Sequence, residues 1–329
     1  LTFDEAMWQY IGRNWFRHGL IPYSGGVDNK SPLIFAIYGM SDKLFGVNFW
    51  FPRLLGICFQ SAGLYYTYKI AVRLMSERAG LIVLFIYGFS ILWHASGGKY
   101  VSYTESYAVA FTIMAVYFVI SADRKNACFI SGMLAGLGFM FRISALFGFL
   151  ALLTYLVLVK KNKVLPYLLG FLITVFSICT LFGLAGIRLH DLFTFALMDN
   201  FGPGSVTDHT LFWKINNFFN HFFFSELVLF FPGLIGYCLI KTRNNIFLLW
   251  FIFEFTGLMI PGIFSVQHFK SLLPSLSLMS EFSINELLEN HSLGIRKAMI
   301  LVIICFFPKI TEPWFGLKNL MDPPDKNLN

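Results

Sequence analysis

Long apolar runs separated by short polar segments make up most of the chain beyond residue 48. Each run reaches or approaches the ~20 residues that a helix needs to cross ~30 Å of hydrocarbon. The pattern predicts an all-α protein, a polytopic transmembrane bundle of about ten spans. The predicted spans are residues 49–72, 79–95, 104–121, 127–141, 144–159, 164–186, 226–240, 246–264, 271–289 and 298–308.

The first 48 residues follow a different pattern. Polar side chains recur every four residues along 4–18, while Trp8, Ile11 and Trp15 make an apolar face. This spacing predicts an amphipathic helix that is too short to span and suits the membrane interface. Gly19 ends it, and a second helix is predicted over 32–45, beginning at Pro32, since proline is favoured in a first helical turn.

These patterns divide the chain into three parts. Residues 1–48 are predicted to be an extracytoplasmic catalytic loop with interfacial helices. Residues 49–308 form the transmembrane domain, with a long extracytoplasmic loop at 187–225, and residues 309–329 are a polar tail that we expect to be truncated. Because the sequence begins inside a polar loop, we also expect one transmembrane helix upstream of it.

Composition supports a membrane protein and narrows its partners. The chain is 57% hydrophobic and 13% charged, whereas soluble domains carry about 25% charged residues. Its net charge of +7 comes from Lys and Arg in short loops, as the positive-inside rule requires, so we predict no nucleic-acid partner. The five cysteines have no paired spacing and indicate neither disulfides nor metal ligands.

The basic clusters also predict which loops share a side of the membrane. These clusters are Lys69/Arg73/Arg78, Arg124/Lys125, Lys160/Lys161/Lys163, Lys241/Arg243 and Arg296/Lys297. All can be cytoplasmic only if 127–159 is two short helices that meet near Arg142. A lone arginine at lipid depth costs at least ~2.5–3.5 kcal/mol, which favours such a break.

That arrangement collects the unusual polar residues on the other side, in a wet and charged cavity that faces away from the cytoplasm. The set comprises Asp4, Glu5, Asp28, Asn29, Lys30, Arg53, Lys99, Glu105, Arg142, His268 and Lys270.

Several of these residues carry a family resemblance. The acid pair Asp4-Glu5, the run 29–33 (NKSPL), Phe45-Gly46, Arg53-Leu54, the run 103–105 (YTE), residues 132–142 and the run 268–274 (HFKSLLP) recur in this order. The pattern resembles the GT-C membrane glycosyltransferases, in the bacterial branch related to protein O-mannosyltransferases and the lipid A aminoarabinose transferase (glycosyltransferase families 39 and 83).

The resemblance implies an inverting glycosyltransferase that uses a polyprenyl-phosphate sugar on the outer side of the plasma (inner) membrane. It implies that Asp4 is the catalytic base and that Lys30 lies near the donor phosphate. The acceptor is expected to be a lipid, a protein or a glycan. The sequence departs from the family at Ser31, which replaces the first of two prolines, at Arg142, where Lys is common, and at Phe269, where Tyr is usual.

Glycosyl transfer from a lipid phosphate requires a carboxylate that accepts the acceptor's proton and cations that hold the leaving phosphate. The predicted catalytic acids are Asp4 and Glu5, although Thr2 and Glu5 also make a capping-box pattern that favours a structural role for Glu5. The predicted donor-phosphate ligands are Lys30, Arg142, Arg53 and Lys270. The predicted substrate-binding residues are Asp28, Asn29, Tyr103, Glu105 and His268.

Each assignment has a structural alternative. Lys30 suits an interfacial lysine that extends to lipid headgroups, and Asp28 and Asn29 suit the turn before the second helix. Arg142 suits a helix break paired to Glu105 or a carbonyl. The remaining alternatives are an interface anchor for Arg53, a helix-end histidine for His268 and an aromatic interface belt for Tyr103.

Two further points complete the sequence predictions. No metal or other cofactor is predicted, because the histidines and acids lack metal-ligand spacing, although acids and phosphates together can recruit a divalent ion. Two other functions fit the same charged cavity: a transporter or flippase of lipid-linked glycans, since discontinuous helices around charges also build carriers, and an inactive homologue that only binds the lipid.

Overall fold

A computed structural model describes residues 2–93, 102–121, 123, 126–196, 198, 210–225, 227–239, 246–262 and 264–289. Over these residues the chain is helical, with short connections and no strand. The predicted span at 298–308, the tail at 309–329 and Lys99 lie outside the described residues.

The described residues form thirteen α-helices and three 3-10 turns. The α-helices are α1 Phe3–His18, α2 Pro32–Phe45, α3 Trp50–Leu74, α4 Glu77–Trp93, α5 Thr104–Ile120, α6 Ala127–Phe141, α7 Leu146–Val159, α8 Val164–Leu184, α9 Leu189–Ala196, α10 Leu211–Ser225, α11 Leu227–Leu239, α12 Ile246–Met259 and α13 Leu273–Glu289. The 3-10 turns are Ile143–Ala145, Lys161–Lys163 and Val266–Ser271.

The predicted break near Arg142 is confirmed. Helix α6 ends at Phe141, Arg142 takes an extended backbone (φ −154°, ψ 124°), and a 3-10 turn leads into α7. The start of α2 at Pro32 is also confirmed, and Ser31 before it has φ −66°, an angle that proline itself adopts. The replacement of the family's proline by Ser31 is therefore compatible with the same backbone φ.

The segment 187–225, predicted as a long extracytoplasmic loop between spans, contains α9 and α10; its position outside the membrane stays a prediction. Both helices interleave polar and aromatic residues at helical spacing, so neither has the uninterrupted apolar run by which spans were recognised.

The count of ten spans stays a prediction. In the described part of the chain, Lys161–Leu184 is the one helix both long and apolar enough to cross a membrane by length and composition. The shorter apolar helices are Thr104–Ile120, Ala127–Phe141, Ile143–Val159, Leu229–Cys238 and Ile246–Met259.

Helices α1 and α2 form a hairpin that packs on the ends of α5 and α6. Trp8, Phe35 and Tyr38 of the hairpin join one buried cluster with Tyr107 and Phe141 of the bundle. Inside the hairpin the backbones nearly touch, since a Cβ on Gly39 would lie 2.4 Å from the carbonyl oxygen of Gly12.

A buried acid also ties the hairpin together. The carboxylate of Asp42 in α2 is fully buried. It accepts hydrogen bonds from Arg17 and, at 3.2 Å, from Gln9 Nε2, both in α1. Paired in this way, the buried charge avoids the cost of an uncompensated carboxylate, and the two helices keep one register.

Cationic residues lie at both ends of the bundle, and the groups around them differ between the two ends. Arg53 and Arg73 are separated by twenty residues of α3, which is about 30 Å at 1.5 Å per residue. At the Arg73 end, Arg73 Nη2 lies 3.3 Å from Asp123 Oδ2. The hairpin and the break at Arg142 lie at the Arg53 end, so the charge pattern that predicted two membrane sides corresponds to two ends of the bundle.

The Gly12–Gly39 contact predicts that Gly39→Ala lowers stability by about 1–3 kcal/mol, as overpacking of a close contact does, because the clash is with backbone atoms. The measurement is the temperature at which purified protein in detergent loses its monodisperse elution. Gly183→Ala in α8 is the matched control, since a Cβ there meets nothing within 4 Å. Equal stability of the two variants would contradict the close packing.

Candidate active site

The two adjacent acids of α1 have different environments. Glu5 is fully buried, and its carboxylate accepts hydrogen bonds from Arg53 Nε at 3.0 Å, Arg53 Nη2 at 2.6 Å and Tyr38 Oη at 3.3 Å. The Thr2 side of the predicted cap is present, since Thr2 Oγ1 accepts from the Glu5 amide at 3.3 Å. The Glu5 carboxylate, however, joins α1 to α2 and α3, which is a different structural role from a reciprocal cap.

Asp4 points elsewhere, because adjacent helical residues are ~100° apart. Within the described part of the chain its carboxylate has neither a hydrogen bond nor an ion pair. Burial raises the pKa of Asp4 above its usual range, the ammonium of Lys30 opposes that rise, and the carboxylates of Asp28 and Glu105 add to it. Asp4 is therefore the acid of the pair that is available to take a proton from a ligand.

Lys30 lies in the connection between α1 and α2. Two side-chain hydrogen bonds hold this connection in place. Tyr23 Oη donates to the carbonyl of Lys30 at 2.7 Å, and Trp8 Nε1 donates to Asp28 Oδ2 at 3.2 Å. The ammonium of Lys30 donates to Asn29 Oδ1 and acts electrostatically on both Asp4 and Glu105. Lys30 itself is half-buried.

Glu105, in the first turn of α5, is the centre of the remaining charges. It is 4% exposed, and Oε1 pairs with Arg142 Nη1 and lies 3.6 Å from His268 Nε2. Lys30 and Lys270 also act on it electrostatically. The sequence analysis gave pairing with Glu105 as the structural alternative for Arg142, and the structure contains this pair. The pair joins α5 to the break after α6.

Tyr103 interacts electrostatically with both Asp4 and Glu105. It is the residue before α5, it is buried, and its ring meets Trp8 edge to face with centroids 6.0 Å apart.

Phe269, where the family usually has Tyr, is fully buried with its ring centroid 6.1 Å from that of Phe218. That position therefore contributes packing and offers no hydroxyl.

Two cavities open on the charged cluster. One is lined mostly by apolar residues of α3, α4 and α5, with Glu105 and Lys270 at its polar part. The other is lined by Arg142, Ser144, Glu254, Gly257, Leu258, Pro261, His268 and Ser271. Each has room for about one water molecule. The 3-10 turn Val266–Ser271 contributes to both walls.

The structure brings most of the predicted site residues to one end of the bundle. The residues linked there by contacts or electrostatic interactions are Asp4, Asp28, Asn29, Lys30, Tyr103, Glu105, Arg142, His268 and Lys270. Arg53 differs, because it already pairs with Glu5. In the described residues no group of three His, Cys, Asp or Glu side chains is placed to hold a metal ion.

Sequence reasoning missed Glu254, which is 5% exposed and lines the polar cavity. The signal was present, because Glu254 is the one charged residue of α12 (IFLLWFIFEFTGLM), and an acid at membrane depth usually has a function.

Part of the chain matches a known protein family. Residues 29–182 match the family described as dolichyl-phosphate-mannose-protein mannosyltransferase. No curated protein sequence matches the chain.

Solved structures match over nearly the whole chain. ArnT from Cupriavidus metallidurans bound to undecaprenyl phosphate is similar over 92% of this chain, with a TM-score of 0.68 and 15% identity. The same protein in the apo state gives 0.60 over 85% of the chain with 15% identity. The oligosaccharyltransferase of Archaeoglobus fulgidus, in complex with zinc and sulfate, gives 0.58 over 94% of the chain with 11% identity. The chain covers 59%, 55% and 48% of these three chains respectively.

The fold is therefore that of the GT-C membrane glycosyltransferases, as the sequence resemblance predicted. Within that class, residues 29–182 are similar to the mannosyltransferase family, and the fold as a whole is similar to that of ArnT.

The Glu5–Arg53 pair generates a prediction about stability. Arg53→Met would leave Glu5 buried without its cation, so we expect a loss of about 3 kcal/mol, which is typical when one partner of a buried pair is removed. The double variant Glu5→Gln/Arg53→Met should recover most of that loss. The measurement is a denaturant series on detergent-purified protein, analysed as a double-mutant cycle; additive losses would show that the pair does not stabilise the hairpin.

Proposed function

We propose that the chain is a glycosyltransferase that moves a sugar from a polyprenyl-phosphate donor to an acceptor hydroxyl, with inversion. One observation carries the proposal. Asp4 is a partly desolvated carboxylate without a hydrogen-bonding partner in the described residues, and it faces Lys30 beside a cluster of cations around Glu105. A base next to an anion-binding group is what glycosyl transfer from a phosphate requires.

In the proposed reaction, Asp4 accepts the proton of the acceptor hydroxyl. The acceptor oxygen then forms a bond to the anomeric carbon on the face opposite the phosphate. The bond between that carbon and the phosphate oxygen breaks, and the polyprenyl phosphate leaves with the electron pair. Direct displacement of this kind needs one carboxylate and inverts the anomeric centre, so Glu5 serves as the structural acid and Asp4 as the chemical one.

The leaving phosphate gains negative charge as the bond breaks, and cations that are already in place stabilise it. Lys30 is the proposed first ligand, with Arg142 and Lys270 beside Glu105. Arg53, predicted as a fourth ligand, acts mainly through Glu5 in this proposal. The proposed contacts to the sugar and acceptor are Asp28, Asn29, Tyr103, Glu105 and His268.

The comparisons support the donor class and a membrane location. The structure of ArnT contains undecaprenyl phosphate, and the matched family is described by dolichyl-phosphate-mannose. We propose the same chemical class of donor here, a multi-pass position in the plasma (inner) membrane with about ten spans, and a site facing the periplasm or cell exterior. The proposed parts are residues 1–48 as the catalytic segment, 49–308 as the transmembrane domain and 309–329 as a tail.

The base assignment predicts that Asp4→Asn lowers sugar transfer by about 10²–10⁴-fold, the range for loss of a general base. The assay measures radiolabelled sugar passed to membrane acceptors from a panel of undecaprenyl-phosphate sugars. Asp123→Asn is the matched control, because it is the same change on an exposed acid at the other end of the bundle. Equal transfer by wild type and Asp4→Asn would overturn the assignment, and movement of intact lipid-linked sugar without transfer would favour a flippase.

The environment of Asp4 predicts the pH dependence. The base must be ionised, and burial raises the pKa of Asp4, so transfer should rise with pH through a value above the usual ~4 of an aspartate. Lys30 lowers that pKa, so Lys30→Gln should move the rising limb to higher pH. The measurement is kcat/KM against pH. Lys43→Gln, on the exposed end of α2, should leave the limb unmoved; a shift to lower pH in Lys30→Gln would contradict the geometry.

A further inference from the structure

The polar cavity beside the charged cluster has the size and the lining of a water site. It has room for about one water molecule, and its polar lining comes from Arg142, Ser144, Glu254, His268 and Ser271. A buried water makes about three hydrogen bonds, and a cavity of this size holds one where polar groups surround it. This cavity meets both conditions, whereas the other cavity is lined mostly by apolar residues.

Glu254 supplies the carboxyl group of this cavity. It is 5% exposed in the otherwise apolar helix α12, where a carboxyl is costly unless it is hydrogen-bonded or paired. The side chains of Ser271 and Trp250 hold it by hydrogen bonds. Helix α7 leaves space for it, since a Cβ on Gly148 would lie 2.7 Å from Glu254 Oε1. The position of this carboxyl is therefore fixed by its own helix, by α7 and by the turn that carries Ser271.

Arg142 lines the same cavity but has a different direct partner. Its Nη1 pairs with Glu105 Oε1, and in the described part of the chain no direct ion pair joins it to Glu254. The two side chains still interact electrostatically across the cavity that both of them line. A guanidinium carries several N–H donors in a planar fork, so the pair with Glu105 leaves donors for a second contact. A water is the group that bridges polar side chains over such a gap.

We propose that one ordered water in this cavity accepts a hydrogen bond from the guanidinium of Arg142 and donates one to the carboxylate of Glu254. Glu254 is then a positioning residue, because it acts on Arg142 through the water and touches no substrate. Arg142 is held between two acids, Glu105 of α5 on one side and Glu254 of α12 on the other, and this fixes the plane of the guanidinium. A lysine cannot keep both contacts, since its ammonium is a point charge on a flexible stem.

The consequence for catalysis rests on the proposed function, in which Arg142 stabilises the leaving phosphate. A cation stabilises developing charge best when it is already oriented before the bond breaks. Loss of the second contact should therefore slow transfer even though the charge of Arg142 and its pair with Glu105 remain.

The water itself is tested by an electron cryo-microscopy map of the full chain in lipid nanodiscs, at a resolution that shows ordered water. The expected density lies within hydrogen-bonding distance of both Arg142 and Glu254. A map that shows other buried waters and none at this place would overturn the proposal.

The positioning role is tested by a double-mutant cycle on kcat/KM for sugar transfer, with each variant normalised to its monodisperse fraction. Arg142→Lys keeps the charge but loses the planar fork, and we expect it to lower kcat/KM by about tenfold in the wild-type background. In the Glu254→Gln background the second contact is already lost, so the same change should cost less than about threefold. A merely structural role for Glu254 would leave the two losses additive.

Glu281→Gln is the matched control, because it makes the same change at a buried acid of α13 that lines neither cavity. Its effect should add to that of Arg142→Lys. Additive losses for Glu254→Gln as well would overturn the positioning role while the proposed function stands. If wild type transfers no sugar from any donor of the panel, the proposed function falls, and the map alone decides the water site.

Discussion

The ion pair between Glu105 and Arg142 is the interaction on which the charged end of the bundle depends. A carboxylate buried at the start of α5 is costly unless a cation pairs with it. Arg142 supplies that cation only because α6 stops at Phe141 and the backbone becomes extended. The helix break therefore both positions a cation beside Glu105 and divides residues 127–159 into two helices. His268 reaches the same carboxylate from the turn before α13, so elements far apart in sequence converge on one acid.

The same reasoning separates the acids that have structural partners from Asp4. Glu5 and Asp42 are fully buried and fully engaged, the first by Arg53 and Tyr38 and the second by Arg17 and Gln9. Both join helices of the hairpin to each other or to α3. Asp4 is less buried and its carboxylate has no hydrogen bond among the described residues. The hairpin anchored by these two acids holds Asp4 in a fixed direction, as its proposed role of catalytic base requires.

Local signals explain which features the sequence could predict. Pro32 starts a helix by its own geometry, and Arg142 marks a break because a lone charge inside an apolar run is costly; both positions were predicted. The helices α9 and α10 were missed because their interleaved polar and aromatic residues resemble neither a span nor a simple loop. The sequence could not predict which group each charged residue pairs with. Arg53 and Lys30 were both predicted to bind the donor phosphate, yet in the fold Arg53 pairs with Glu5. Glu254 carried a visible signal, as the one charged residue of α12, but the groups that surround it across the bundle are known only from the fold.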